Sequence, residues 1–420
     1  MKVSGAISEG STTFYQKTRR ALLWMNLSHE PFVILYVLLP FILRKNLDAS
    51  LLQISILSAL RPILPVFSFY WSANLKRSRL RANLMGAWAI ARLPFLLVPW
   101  IDNVWYLIFC CAMYELFNKS GIPALIEILK LNIPKHTREA TYTLYFVLSF
   151  LESILLGFVI AWLLDWDSSL WQILIGGSAL IGLSSVFFQL AVPIPQEQPA
   201  SSQQIPLSQR IIQPWKETFS LLKAHPDFAR FQYGFMLGGF SLMLVSPSLS
   251  IFYVDYLALP FSSVVTGRSI LMGAGIVLSS WFWKRILTKE RVPQLTQWIL
   301  FGFACYLLFM IFSQFHRTCF YLSFLFYGIA QAGSHLLWNL SGILFSANED
   351  SAPFSRLNIL LLGLRGAVAP ALGGILCNAF GPVPIFVTGI ALCLVGVGYT
   401  QVNSKVGNLA RRRRKFLRPE

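Results

Sequence analysis

Basic residues in this chain are confined to alternate gaps between long apolar stretches, and that alternation limits the possible folds more than any motif does. Apolar runs of about twenty residues follow one another from Ala21 to Tyr399, separated by short polar gaps. One set of gaps carries Lys76, Arg77, Arg79 and Arg81, then Lys130, Lys135 and Arg138, then Lys284, Arg285, Lys289 and Arg291. The gaps between them hold Asp102, or Asp165 with Asp167, or Asp255, and their basic residues are Arg44, Lys45 and Arg317. Positive residues stay on the cytoplasmic side during insertion, so the pattern predicts a polytopic membrane protein and its orientation.

A helix needs about 20 apolar residues to cross a hydrocarbon core, and an apolar fraction of 55% suits a chain lying mostly in lipid. Twelve spans are predicted, making the fold all-α and integral to the bilayer. They are Ala21–Leu43, Leu51–Trp71, Ala82–Ile101, Val104–Leu129, Ala140–Leu164, Leu170–Val192, Phe228–Tyr253, Val264–Trp283, Val292–Ser313, Cys319–Phe345, Leu357–Cys377 and Pro382–Tyr399. An even count with two basic ends predicts that both termini are cytoplasmic. Short loops without outer domains point to a bacterial inner membrane.

A net charge of +17 would suggest a nucleic-acid partner in a soluble protein. Here the excess is topology signal, and no nucleic acid is expected. The run Arg411–Lys415 is either part of that signal or a contact for anionic headgroups. The six cysteines, Cys110, Cys111, Cys305, Cys319, Cys377 and Cys393, lie in spans or at their ends, without zinc spacing or a disulfide framework. The first apolar segment is too long for a cleavable signal peptide and contains Glu30. No metal or cofactor is expected, and no phosphate-binding loop of the ATPase type occurs.

The one long gap, Pro193–Asp227, starts as a Pro/Gln/Ser tract. It then places Ile211, Ile212, Trp215, Phe219 and Leu222 at helical spacing with Lys216 and Lys223 between them, a pattern for a surface-lying amphipathic helix. This divides the chain into a six-helix bundle (1–192), a cytoplasmic linker (193–227), a second six-helix bundle (228–402) and a basic cytoplasmic tail (403–420). The halves echo one another. Tyr106-Leu107-Ile108-Phe109 opens span four as Tyr321-Leu322-Ser323-Phe324 opens span ten, and Arg61 precedes Arg77 by the interval that separates Arg268 from Lys284. Two pseudo-symmetric six-helix bundles are expected.

Six plus six spans, cytoplasmic termini and a long middle loop resemble the major facilitator superfamily over the whole length. The approach to span seven, Gln213-Pro214-Trp215-Lys216-Glu217 through Pro226-Asp227-Phe228, is similar to that family's. Asn74–Arg79 keeps the family's basic run after span two and lacks its aspartate and glycines. The Pro370-Ala371-Leu372-Gly373-Gly374 stretch resembles the family's antiporter motif, but lies in span eleven instead of span five, which weighs against drug efflux. The resemblance implies transport by rocking of two halves around a mid-membrane site, in a monomer, with a small molecule as substrate and a proton or other ion as coupling partner.

Ionisable residues inside spans cost about 2.5–3.5 kcal/mol each, so they face the bundle interior. Glu30, Arg61, Arg92, Glu115, Lys119, Glu152, Arg268 and Arg365 are such residues, with cations in the majority. Arginine presents a planar fork that matches carboxylate or phosphate, so Arg61, Arg92 and Arg365 are candidates for binding an anionic or zwitterionic metabolite. The alternatives are structural: Glu115 with Lys119 as an i,i+4 pair, Arg92 as partner of Glu115, and Arg61 or Arg365 paired with Glu30 or Glu152. Glu30, between His29 and the helix-bending Pro31, is a candidate for proton coupling together with His29 and Glu152. Gln331, His335 and Asn339 recur every four residues in span ten with Trp338 beside them, a polar face for substrate or for helix–helix bonding. Efflux of lipophilic compounds by the same fold is the second expectation. A membrane-bound enzyme is the third and least favoured, because the five histidines are scattered.

Overall fold

The computed structural model describes residues 3–67, 80–133, 135–192, 215–216, 219–346 and 352–416, and among them there is no strand. Among the described residues twelve helices of more than ten residues follow in chain order. In the N-terminal part these are α1 (Val3–Leu47), α2 (Leu51–Ile63), α3 (Leu80–Arg92), α4 (Val104–Asn132), α5 (Lys135–Trp166) and α6 (Trp171–Leu190). In the C-terminal part they are α7 (Pro226–Ile251), α8 (Phe261–Ile286), α9 (Val292–Phe312), α10 (Arg317–Ser346), α11 (Ala352–Phe380) and α12 (Pro382–Phe416). The basic loop Asn74–Arg79, the tract 193–202 and the pair Ile211 and Ile212 lie outside the described residues. Residues 219–224 are helical, as the amphipathic pattern predicts.

Local departures from the predicted spans have local causes. α1 begins at Val3 and runs on through Pro31 and Pro40 for 45 residues. The third span changes from α to a tighter 3₁₀ winding over Leu93–Trp100, where Pro94 and Pro99 remove two backbone donors. α8 contains a π-turn at Thr266–Leu271, and another, Phe252–Tyr256, continues α7. Asp167, in the turn between α5 and α6, accepts the Ser169 amide at 2.9 Å and its hydroxyl at 2.7 Å, which holds the carboxyl below the usual carboxylate range.

The chain forms two compact units. In the first, α1 packs on α5 and α6, and α3 on α4 and α6. In the second, α7 packs on α11 and α12, and α9 on α10 and α12. Adding six to each helix number of the first set gives the second, so the two sets of helices pack in one pattern. The division is not at a single point: Ile54–Pro62 of α2 belongs with the C-terminal unit, and Pro260–Ser262 with the N-terminal one. That last segment is held by Asp165 on α5, whose carboxylate accepts the amides of Phe261 and Ser262 at 2.6 and 2.9 Å. Lys45 lies 4.4 Å from the Phe261 ring centroid.

Polarity in each unit is turned inside out relative to a soluble protein. Leu278 is 76% exposed and Phe187 74%, while Arg92 is 0% exposed. An apolar exterior of this kind needs lipid against it, and Trp100, Trp162 and Trp166 stand exposed near helix ends, where indoles favour the interface. Eight described helices are long and apolar enough to cross a membrane by length and composition. Inside, small residues allow close helix approach. A Cβ on Gly328 of α10 would collide with the Met272 carbonyl of α8, and one on Gly373 of α11 with the Leu244 carbonyl of α7. Backbone cannot swing aside as a side chain can. Gly328→Ala and Gly373→Ala are therefore expected to destabilise the protein by about 1–3 kcal/mol each, read as lower melting temperatures. Gly177→Ala, with open space around it, should leave the melting temperature unchanged or raise it.

Candidate functional site

In the N-terminal unit a polar cluster forms around Arg92, the last residue of α3. Its guanidinium carbon lies 3.7 Å from the Trp88 ring centroid, and Nη1 donates to the Trp88 carbonyl at 2.9 Å. Residues four apart share a helix face, so α3 itself supplies this seat. Nη2 lies 2.9 Å from Nδ1 of His29 on α1. A guanidinium can only donate, so His29 accepts at Nδ1 and carries its proton on Nε2, 3.3 Å from the Tyr114 hydroxyl of α4. Asn118 donates to the same hydroxyl at 3.3 Å. Gly182 on α6 leaves the guanidinium its space, since a Cβ there would stand 2.9 Å from Arg92 Nε. That Nε is buried and lacks an acceptor.

No carboxylate pairs with Arg92 among the described residues. Its expected partner, Glu115, instead accepts from the Tyr36 hydroxyl at 2.9 Å. The reason is rotational: Tyr114 faces His29, and the next residue of a helix points about 100° away. Lys119, one helical turn on, lies within Coulomb range of His29. Glu30 lies near Ser149 and Glu152, both on α5. Oε2 of Glu152 is buried without a partner. Neither acid has a cationic partner among the described residues, so the structural alternative of pairing them with Arg61 or Arg365 is not realised.

The C-terminal unit holds a half-buried arginine of its own. Arg365 on α11 lies 5.7 Å from the Trp338 ring centroid of α10, and Nη1 reaches the Met236 sulfur of α7 at 3.6 Å. Its Nε is buried without an acceptor, and no carboxylate pairs with it among the described residues. The guanidinium occupies the space where Gly239 would carry a Cβ. Trp338 also stacks on Phe235, 6.0 Å between centroids. Of the polar face on α10, Gln331 and His335 hydrogen-bond to each other at 3.0 Å, and His335 and Asn339 are exposed. Arg61 is exposed on α2 and within Coulomb range of Arg268 on α8.

Sequence reasoning names His29 and Trp338 but misses the other neutral members of the two clusters. Trp88, Tyr114 and Asn118 hold the Arg92 cluster together, and Gly182 and Gly239 make room for the arginines. A buried network also joins α7, α10 and α11: Gln232 donates to Asn358, which donates to the Ser341 hydroxyl at 2.8 Å and the Trp338 carbonyl at 3.3 Å. One signal was legible, the Trp88–Arg92 spacing of four.

Two six-helix repeats with lipid-facing exteriors and charges held inside define a polytopic membrane protein of the transporter class. The profile described as Major Facilitator Superfamily matches residues 31–353, and the chain belongs to that superfamily. Among curated proteins none matches it by sequence. Similar solved structures include the nucleoside transporter NupG, at 13% identity and TM-score 0.69, covering 93% of this chain and 98% of that one. A peptide transporter POT in complex with sulfate gives 12% identity and TM-score 0.69, covering 93% and 94%. A bacterial homologue of the human lysosomal transporter Spinster, inward-facing and unoccupied, gives 11% and 0.64, covering 93% and 97%. At such identities the likeness establishes the fold.

The bond between His29 and Arg92 yields a direct test. His29→Phe removes the acceptor from a buried guanidinium and should cost about 1–3 kcal/mol of stability. His29→Gln, which keeps an acceptor, should cost less. Thermal unfolding of the two purified variants makes the comparison.

Proposed function

We propose that this protein is a secondary active transporter for a small anionic or zwitterionic metabolite, working by alternating access and coupled to protons. One observation carries the reading: each compact unit holds an arginine, Arg92 buried and Arg365 half-buried, whose buried Nε has no acceptor and which has no carboxylate partner among the described residues. Burying an unpaired charge is expensive, and truly structural arginines are normally matched by acids. A substrate carboxylate or phosphate supplies the missing acceptor oxygens. Trp88 and Trp338 beside the guanidiniums, and the Gln331–His335 pair, are candidates for substrate contact together with Arg61, Glu115, Lys119 and Asn339.

Glu30 and Glu152 are the proposed coupling site. Two carboxyl groups close together without a cation form a place to bind one proton. His29 connects this acid pair in sequence to the Arg92 cluster, so proton binding and substrate binding would act on neighbouring turns of α1. The charge alternation supports cytoplasmic termini in a bacterial inner membrane, and the protein is proposed to work as a monomer.

The acid pair also favours a second reading, efflux of lipophilic cations. Thermal stabilisation by a ligand panel separates the two. A ligand at a hundred times its dissociation constant stabilises by about 2.7 kcal/mol. Carboxylates or phosphorylated metabolites should raise the melting temperature, and Arg92→Gln and Arg365→Gln should abolish the rise. Stabilisation by lipophilic cations alone would sink the anion reading. In vesicles, Glu30→Gln is expected to lose proton-driven accumulation while retaining substrate exchange. If accumulation survives in both Glu30→Gln and Glu152→Gln, the coupling assignment is wrong.

A further inference from the structure

Asn358 stands on the same face of α11 as Arg365. Seven residues separate them, which is two helical turns, or about 10 Å along the axis. Gln232 and Gly239 have the same spacing on α7, with Phe235 and Met236 between them on that face. α7 and α11 therefore meet in two layers. In one, Arg365 fills the space left by Gly239 and reaches the Met236 sulfur. In the other, Gln232 donates to the Asn358 side-chain oxygen.

Trp338 of α10 belongs to both layers. Its ring lies 5.7 Å from the Arg365 guanidinium carbon and stacks on Phe235. Its carbonyl accepts from the Asn358 amide at 3.3 Å and from the Ser341 hydroxyl at 3.1 Å. Asn358 also donates to Ser341 Oγ at 2.8 Å, so it uses its donors on α10 and its acceptor on α7. Gln232, Ser341 and Asn358 are all buried.

These bonds supply what apolar packing does not. α10 packs broadly on α8 and α9 and only narrowly on α11. The apolar side chains around Trp338 attract without direction. Hydrogen bonds are directional, so Asn358 fixes the depth and rotation of α10 at Trp338 relative to Arg365. The network also carries a cost. Oε1 of Gln232 is buried without a donor, a penalty that a wholly apolar contact would avoid.

We infer that Asn358 is a positioning residue of the anion site proposed at Arg365, holding the Trp338 indole at a set distance from the guanidinium. Trp88 shows the alternative, since it closes to 3.7 Å over Arg92. At 5.7 Å the pull of the ring on Arg365 is weak, and the charge stays available to an anion. A ring free to close would compete with the anion for that charge. The inference rests on the reading of Arg365 as a substrate-binding residue and adds to it a neutral residue that acts through Trp338.

The test uses the full chain, labelled with 5-fluorotryptophan and held in lipid nanodiscs. It is titrated with succinate and with glycerol phosphate while its fluorine NMR spectrum and melting temperature are followed. Trp338→Phe and Trp88→Phe assign the two resonances. Asn358→Leu, of similar volume but without the amide, should move the Trp338 resonance and leave the Trp88 resonance in place. It should also weaken the apparent affinity for the anion that binds the unsubstituted protein by about threefold to tenfold. Ser341→Ala removes one of the two donors to the Trp338 carbonyl and should weaken affinity by about twofold. That variant keeps a reading where Asn358→Leu does not fold. A merely structural Asn358 would lower the melting temperature and leave the Trp338 resonance and the affinity as they are, and this result overturns the assignment. A shifted Trp338 resonance with unchanged affinity overturns it too. Anion binding that is lost in Arg365→Gln but unaffected by the Asn358 and Ser341 substitutions removes the positioning role alone and leaves the carrier reading intact. No response of the unsubstituted protein to either anion removes both.

Discussion

The constraint on which this structure turns is the cost of holding a guanidinium in a low-dielectric interior without a counter-charge. Arg92 meets it with a histidine nitrogen, a backbone carbonyl and the face of Trp88; Arg365 meets it with a methionine sulfur and the face of Trp338. Each partner is neutral. Aromatic faces and lone pairs return part of the lost hydration, but they leave the charge itself uncancelled. Both arginines also keep one buried N–H without an acceptor. A packing role alone would be served better by a neutral side chain of similar volume. The arrangement agrees with the proposed anion carrier, since a resident carboxylate would compete with an anionic substrate.

The same logic explains the glycines. A helix carrying a buried arginine must meet a neighbour with nothing at the contact point. Gly182 plays that part for α3 and Gly239 for α11. Each repeat thus spends a glycine on a charge, and a methyl group in either place would push the guanidinium out of its seat. Position in the repeat matters as well. The α1–α5 contact carries Glu30 and Glu152, and its counterpart, the α7–α11 contact, carries Arg365 against Gly239. One scaffold contact is therefore acidic in the first copy and basic in the second.

How much of this was readable beforehand follows from which interactions are local. Topology was readable because insertion responds to apolar length and to loop charge, both properties of consecutive residues. The twelve spans come from these, and the repeat from equal span counts and matching segments such as Tyr106–Phe109 and Tyr321–Phe324. Charged candidates were readable for the same reason, since one Glu or Arg stands out in an apolar run. Their partners were not. His29 was singled out for proton coupling and Arg92 for substrate, yet the two share a hydrogen bond, because α1 and α3 meet only in the folded unit. The sequence leaves Glu115 a choice between Lys119 and Arg92, and a rotation of one residue on α4 puts Tyr114 beside the Arg92 cluster instead. Tyrosines such as Tyr306 and Tyr327 read as ordinary span residues, and nothing in their spacing announces that their ring centroids come within 4.8 Å.

Backbone geometry shows a further divergence between the repeats. In the second copy the seventh and eighth helices each depart from α geometry, at Tyr253 in one and Arg268 in the other. Their counterparts depart differently. α1 stays helical through Pro31 and Pro40, and α2 gives way to a 3₁₀ turn at Leu64–Phe67, just after Arg61. An α-helix interior is the cheapest backbone state in lipid, because every donor and acceptor is used. Departures from it persist only when side chains placed by them return the lost energy or serve a ligand.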